Sequence, residues 1–177
     1  MGITFREKDW ATFCASQYNY YNMVYSIKIS KNNPDWDEAI RQLENIPDNS
    51  LSGVYLAGHG SSDLIGPIST DSLTKSASEK KFFEVLGRKI KKGGEIELRA
   101  CKCATGVEGT AFLRLLADIS DRTVVGFTGK YNIYPFGDEI VARPGEDPFV
   151  RRNHGDYRES CLSWTTGEND KKNEKKR

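Results

Sequence analysis

The sequence has no apolar run that approaches the 18 or so residues of a membrane-spanning helix. It also has no excess of charge of either sign, since 26 Lys and Arg residues stand against 25 Asp and Glu residues, for a net charge of +1. We therefore expect neither a membrane nor a nucleic acid as partner. The densest charge run ends the sequence, and we expect a single domain over 1–166 followed by a disordered charged tail over 167–177.

Cysteine and histidine are both scarce. The first ten residues carry charges where an export signal needs an apolar core. We therefore expect a cytoplasmic chain with reduced thiols rather than a disulfide framework. One C-x-C pair with one histidine lacks the second ligand pair of a structural zinc site, so we expect no metal and no cofactor. The four cysteines are Cys14, Cys101, Cys103 and Cys161.

Along most of the chain, segments with apolar residues at strand spacing alternate with segments that have them at helix spacing. Short links between these segments predict βαβ units, and hence an α/β fold with a mainly parallel sheet flanked by helices. Residues 131–147 predict a C-terminal β hairpin or meander around 136–138, and 159–166 is a candidate last strand. Residues 1–21 are aromatic-rich and receive no assignment. The predicted strands are 22–30, 51–60, 95–100 and 122–129, and the predicted helices are 32–46, 78–90 and 108–119.

Three loops follow strands of this predicted sheet, at 58–63, 101–106 and 128–131. In open α/β sheets, ligands bind beyond the carboxyl ends of the strands. If the two middle strands are neighbours, His59 and Cys101 stand side by side at one edge of the sheet. The sequence therefore places a thiol and an imidazole where a ligand would bind.

These two side chains together suit nucleophilic catalysis. A thiol with an ordinary pKa near 8.5 is mostly protonated at pH 7, and a nearby imidazole can accept its proton. A helix that begins near Glu108 would direct its positive end toward Cys101. The glycines at 58 and 60 let the main chain approach a substrate and offer N–H groups to an oxyanion.

The other cysteines and the second histidine have simpler interpretations. Cys14 and Cys161 are expected to be small buried thiols. Cys103 lies in the turn that leads to the helix, and we expect it to pack against the sheet edge. A disulfide between Cys101 and Cys103 would be strained. His154 lies in a polar stretch that is typical of a surface loop.

The segments "VYLAGHG" (54–60) and "IELRACKCATG" (96–106) resemble the caspase-like cysteine peptidases of clan CD. More narrowly, they are similar to the bacterial CHAT-type and toxin self-processing peptidase domains. That family has an apolar strand ending in His-Gly, then a helix, then an apolar strand ending in a cysteine, often as Ala-Cys. The interval from His59 to Cys101 compares with the roughly 50 residues between histidine and cysteine in caspases. The resemblance covers roughly residues 22–130.

The resemblance implies a caspase-like three-layer sandwich and a cysteine endopeptidase that acts on a protein or peptide substrate, in a partner or in cis. It implies that His59 is the general base and Cys101 the nucleophile, with a thioester intermediate. The oxyanion hole would consist of the backbone N–H groups of Gly60 and Cys101. The residues that would line the substrate groove are Phe127, Thr128, Gly129 and Lys130.

The sequence also departs from this family. The motif "QACRG" is absent, and the Trp-Arg pair behind the aspartate preference of caspases has no counterpart after the strand at 122–129. The resemblance therefore does not imply a strict requirement for aspartate. The main alternative is a catalytically inactive caspase-like binding or scaffold module. An α/β-hydrolase also uses a His-Gly loop, but the sequence lacks the G-x-S-x-G nucleophile elbow. The oligomeric state stays open.

Overall fold

The structure is a computed structural model that describes residues 1–6, 25–131 and 135–155. The candidate strand at 159–166, the tail at 167–177, Cys14 and Cys161 lie outside the described residues. The helices are α1 (Trp36–Glu44), α2 (Thr70–Lys75), α3 (Ala77–Lys89) and α4 (Gly106–Ser120). The strands are β1 (Gly2–Arg6), β2 (Ser26–Ser30), β3 (Leu51–Ala57), β4 (Gly60–Ser61), β5 (Leu64–Ile65), β6 (Ile68–Ser69), β7 (Ile90–Arg99), β8 (Thr123–Phe127), β9 (Asp138–Ala142) and β10 (Phe149–Asn153).

A seven-stranded sheet organises the chain, in the order β10-β9-β8-β7-β3-β1-β2. The five strands from β8 to β2 are parallel to one another, and β9 and β10 add an antiparallel extension beside β8. The prediction of an α/β fold with a mainly parallel sheet is confirmed. β3 and β7 are hydrogen-bonded neighbours, as the placement of His59 beside Cys101 requires.

Two parts of the sheet structure were not predicted. β1 lies between β2 and β3, so β2 is not the direct neighbour of β3. Residues 60–69, expected to begin as a loop, form a small antiparallel sheet of β4, β5 and β6. The extension after β8 is a meander whose second turn lies at 143–148, beyond the predicted turn at 136–138. Pro144 and Gly145, the latter with φ of 71°, suit that second turn.

Three helices lie where helical spacing predicts them. α1 begins after Asp35, whose side chain accepts a 2.9 Å hydrogen bond from the Glu38 N–H. α3 and α4 match the predicted helices at 78–90 and 108–119 to within two residues at each end. Their core-facing residues are buried, but Ala111, Leu115 and Ile119, which helical spacing also assigns to the inner face of α4, are exposed or only partly buried. The buried stripe residues include Trp36, Ala39, Ile40, Leu43, Phe82, Phe83, Leu86, Phe112, Leu113 and Leu116.

The stripes of α1, α3 and α4 pack with one face of the sheet in a single hydrophobic core. That face carries alternate strand residues such as Val54, Ile96 and Leu98. Side chains at the intervening positions lie on the opposite face, where Tyr55 is paired in register with Glu97. The three-layer arrangement implied by the resemblance stays a prediction. None of the helices within the described ranges is long and apolar enough to cross a membrane.

One carboxyl group lies buried beside the helices. Glu79 is in the first turn of α3, and only 3% of the residue is exposed. The Ser72 hydroxyl donates a 2.7 Å hydrogen bond to its side-chain oxygen. Burial raises the pKa of Glu79 to about 7, although the Ser72 hydrogen bond acts in the opposite direction. The folded chain therefore keeps a proton on Glu79 well above the ordinary pKa of a glutamate.

Replacing Glu79 with glutamine should remove a pH dependence of stability. The ordinary pKa of 4.5 applies in the unfolded chain, so between pH 4.5 and about 7 only the folded chain binds this proton. The contribution of Glu79 to the free energy of unfolding therefore falls by about 3 kcal/mol as the pH rises through that window. Urea titrations of wild type and Glu79→Gln at pH 4.5 and about pH 8 measure it. Glu84→Gln, at an exposed position of α3, is the matched control. A difference between wild type and Glu79→Gln that does not change with pH would contradict the prediction.

Candidate active site

The parallel strands bring two loops together at the carboxyl edge of the sheet. β3 and β7 are in register up to Ala57 and Arg99, their last residues. Just beyond, the Gly58 N–H donates a 3.4 Å hydrogen bond to the Arg99 carbonyl oxygen. The chain after β3 carries His59, and the chain after β7 carries Cys101. The sheet therefore delivers these two residues to the same edge.

Gly60 shows how closely the two loops approach each other. A Cβ added to Gly60 would lie 2.7 Å from the Ala100 Cβ and 3.0 Å from the carbonyl oxygen of Cys101. No side chain fits at such distances, so the contact needs a glycine. The main chain of the His-Gly loop therefore lies directly against the Ala-Cys segment.

A small sheet holds the His59 loop in place. The His59 carbonyl oxygen accepts a 2.8 Å hydrogen bond from the Gly66 N–H, and Gly60 pairs with Ile65. Ile65 is fully buried, which anchors this sheet to the core. The His59 side chain itself is exposed, so the imidazole lies at the surface.

Cys101 is half-buried and packs against a second hydrophobic cluster beside the main core. Its sulfur lies 3.4 Å from the Tyr131 amide nitrogen, which donates to it, and 3.5 Å from the Tyr131 carbonyl oxygen, which accepts from it. The residue after β8 that touches the sulfur is thus Tyr131. The cluster consists of Val125, Phe127, Tyr131 and Val141.

The turn after Cys101 is held in an unfavourable backbone conformation. Lys102 has φ of 56°, in the left-handed region, which costs a non-glycine residue about 1–2 kcal/mol. The Lys102 N–H donates to the Gly129 carbonyl oxygen at 2.7 Å, and the Thr105 hydroxyl donates to the Thr128 carbonyl oxygen at 2.8 Å. These bonds to the chain after β8 fix the turn, and so fix the direction in which Cys101 leaves the strand.

Cys103 lies in this turn but belongs to the core. It is fully buried, its sulfur is 3.8 Å from the Leu98 carbonyl oxygen, and a Cβ on Gly126 would lie 3.2 Å from it. Burial raises the pKa of the Cys103 thiol to about 12, although main-chain hydrogen bonds lower it in part. A thiol in this state is neutral at physiological pH and is a poor nucleophile. Its predicted packing against the sheet edge agrees with this burial.

The four residues expected to line the substrate groove, 127–130, differ in burial and in hydrogen bonding. Phe127 is 3% exposed and stacks on Tyr131, with ring centroids 5.3 Å apart. The N–H groups of Thr128 and Gly129 donate to Asp138 and Phe136, and their carbonyl oxygens accept from Thr105 and Lys102. Lys130 is exposed. The main-chain groups of Thr128 and Gly129 are therefore paired within the chain.

A polar network on the same face of the sheet was missed at the level of sequence. The Tyr131 hydroxyl donates a 3.1 Å hydrogen bond to Glu97, and the Arg99 guanidinium donates to the same oxygen at 3.1 Å. Arg99 lies over the Tyr55 ring, 3.6 Å from its centroid. The sequence pattern that indicates this network is the alternation of charged and apolar residues in "EIELRA". This alternation puts Glu97 and Arg99 on the face of Cys101.

His154 belongs to a second missed cluster and is not a simple surface residue. Its side chain is half-buried, and its Nε2 lies 2.8 Å from the buried Glu139 carboxylate. Arg151 and Arg152 pair with the same carboxylate. Burial would raise the pKa of Glu139, but the hydrogen bonds from His154 and Arg151 and the two arginine charges lower it below its usual range. The His154 ring also packs edge-on against Phe127, at 5.7 Å.

Over the described ranges, no group of three or more His, Cys, Asp or Glu side chains could hold a metal ion. The edge of the sheet instead presents a half-buried thiol, an exposed imidazole and glycine main chain in contact with the thiol segment. These groups are able to supply a nucleophile, a proton acceptor and amide donors. Comparison of the chain with protein-family models, curated proteins and solved structures gives no match in any of the three.

Proposed function

We propose that the chain is a cysteine endopeptidase with a caspase-like fold, in which Cys101 is the nucleophile and His59 the general base. One observation carries the proposal. The Gly60 main chain lies against Ala100 and Cys101 so closely that an added Cβ would be 3.0 Å from the Cys101 carbonyl oxygen. Contact between the main chains of the two loops supports the proposal, because a Cys-His pair requires the loop that carries His59 and the loop that carries Cys101 to meet.

The reaction follows from the roles of these groups. His59 accepts the proton of the Cys101 thiol, and the sulfur attacks the carbonyl carbon of the substrate peptide. Backbone N–H groups of Gly60 and Cys101 donate to the oxyanion that forms. The C–N bond then breaks, and the imidazolium returns its proton to the leaving amine. Water, deprotonated by His59, hydrolyses the thioester and releases the acid product and the free thiol.

α4 places a helix N-terminus at this edge of the sheet. The helix begins at Gly106, directly after the turn that contains Cys101, and it is 15 residues long. Its N-cap residue, Thr105, uses its hydroxyl to bond Thr128 rather than the first turn of the helix. The first-turn N–H groups of α4 therefore receive no cap from the Thr105 side chain, and the positive end of the helix dipole lies next to the turn that contains Cys101.

A peptide-based alkylating probe tests this proposal directly. We expect a library of peptidyl chloromethyl ketones to label Cys101 at least about tenfold faster than the same reactive group without a peptide, because binding orients the electrophile. Peptide mapping by mass spectrometry locates the label. Cys103 serves as an internal control and should stay unlabelled until the chain is unfolded in urea. Preferential labelling of any other cysteine would contradict the assignment.

Pairing of the main chain of Thr128 and Gly129 within the chain favours the second candidate function, a binding module without turnover. A substrate strand could form no further main-chain pairs there without displacing Asp138 or Phe136. The two functions differ in one result. Peptides that bind and protect Cys101 from iodoacetamide but are never cleaved would favour the binding module over the peptidase.

A further inference from the structure

The geometry points to Tyr131 as a positioning residue for the Cys101 nucleophile: its amide N–H holds the sulfur, and its phenol is held in turn by Glu97. This inference rests on the proposed function, because it assigns a role in preparing the thiol of that site. Tyr131 was not singled out by the sequence, and it belongs to the chain that follows β8. Three contacts of Tyr131 carry the inference.

The first contact is at the sulfur. The Tyr131 N–H donates to Cys101 Sγ at 3.4 Å, and the thiol donates to the Tyr131 carbonyl oxygen at 3.5 Å. A thiol is a weak hydrogen-bond donor, so its bond to the Tyr131 carbonyl oxygen stabilises the neutral thiol only slightly. A hydrogen bond to an ionised acceptor is about twice as strong as one between neutral groups. The N–H is therefore the Tyr131 contact that strengthens in the thiolate, so the position of this amide bears directly on the reactive form of Cys101.

The second contact fixes the phenol. The Tyr131 hydroxyl donates to a Glu97 oxygen at 3.1 Å, and the Arg99 guanidinium donates to that same oxygen at 3.1 Å. The Arg99 side chain is only 6% exposed and lies over the Tyr55 ring. A buried guanidinium stacked on an aromatic ring has little freedom, so Glu97 has a defined position. The carboxylate therefore offers Tyr131 a rigid acceptor on a central strand.

The third contact comes from packing. The Tyr131 ring is 5.3 Å from the Phe127 ring, and the residue is 7% exposed. Tyr131 also forms an isolated β-bridge with Pro135. The ring thus lies between Phe127 and the Glu97 carboxylate, and its main chain lies against the sulfur. Loss of the phenol hydrogen bond should loosen the amide that faces Cys101 while leaving the ring in the hydrophobic cluster.

Replacing Tyr131 with phenylalanine isolates this effect, because it changes no charge that is present at neutral pH. The tyrosine hydroxyl is neutral in that range, and the Glu97–Arg99 ion pair stays on its strand. A change in thiol reactivity would therefore report the position of the Tyr131 amide rather than a new electrostatic field. The charged and titratable side chains in the segments around the sulfur include His59, Glu97, Arg99, Lys102, Cys103 and Lys130.

The pH dependence of Cys101 alkylation by iodoacetamide, resolved by peptide mapping, tests the inference. We expect Tyr131→Phe to slow alkylation at pH 7 by about threefold to tenfold and to displace the rate–pH profile from that of wild type, because thiolate is the reactive form.

Tyr25→Phe, at a residue 40% exposed just before β2, is the matched control and should leave the profile unchanged. A Tyr131→Phe profile identical to wild type would overturn the inference. The result is independent of turnover. A shifted profile supports the role of Tyr131 even if wild type cleaves no peptide, an outcome that would contradict only the proposed peptidase activity.

Discussion

Replacing Cys101 with alanine is expected to abolish peptide cleavage, whereas Cys103→Ala should retain activity within about threefold of wild type. Removal of a nucleophile leaves only the contributions of binding and oxyanion stabilisation, so a loss of about 10³-fold or more is expected. The two thiols are two residues apart, yet they differ in environment. Cys101 is half-buried beside Tyr131, and Cys103 is fully buried with its pKa raised to about 12.

The same peptide mixture, followed by mass spectrometry, measures cleavage by wild type and both alanine variants. His59→Ala should cause a loss of similar order to Cys101→Ala, since the two side chains act as a unit. Urea unfolding curves of each variant separate a lost nucleophile from a lost fold. Full activity of a folded Cys101→Ala protein would refute the assignment, and so would a loss found only for Cys103→Ala.

Sequence periodicity was sufficient to predict the helices and strands that surround the candidate site. Trp36, Ile40 and Leu43 repeat at helical spacing in α1, and Phe82, Phe83 and Leu86 do so in α3, and these stripes are buried as predicted. "GVYLA" and "EIELRA" predict the strands that end at the loops of His59 and Cys101. Short links between such elements allow few topologies, and parallel neighbours are the commonest result. The meeting of the two loops was therefore predictable before any contact was known.

Such local sequence patterns do not predict long-range contacts. β1 is only five residues long, too short for its alternation of apolar and polar residues to assign it, and it is stabilised by pairing with strands on both sides. β4, β5 and β6 have two residues each, too few for any pattern. The contact between Tyr131 and Cys101 depends on where the chain after β8 folds back, which local sequence does not specify.

Gly109 lies where α4 packs against the chain after His59 and the turn after Cys101. Gly109 lies in the first turns of α4 and is buried. A Cβ at this position would lie 2.5 Å from the Ser62 carbonyl oxygen and 2.5 Å from the carbonyl carbon of Ala104. Ser62 follows the His59 loop, and Ala104 ends the turn after Cys101. Both neighbours are main chain, so neither can move aside by a change of rotamer.

Gly109→Ala should therefore lower the free energy of unfolding by about 2–4 kcal/mol, through overpacking against two backbone segments. The sign opposes helix propensity, which alone would favour alanine by about 1 kcal/mol. Because the new methyl group would separate Ser62 from Ala104, labelling of Cys101 by the peptidyl probe should fall as well. Val107→Ala, at a residue 81% exposed in the same part of α4, should change stability by less than about 0.5 kcal/mol. A Gly109→Ala protein as stable as wild type would show that the two loops do not meet the helix at this glycine.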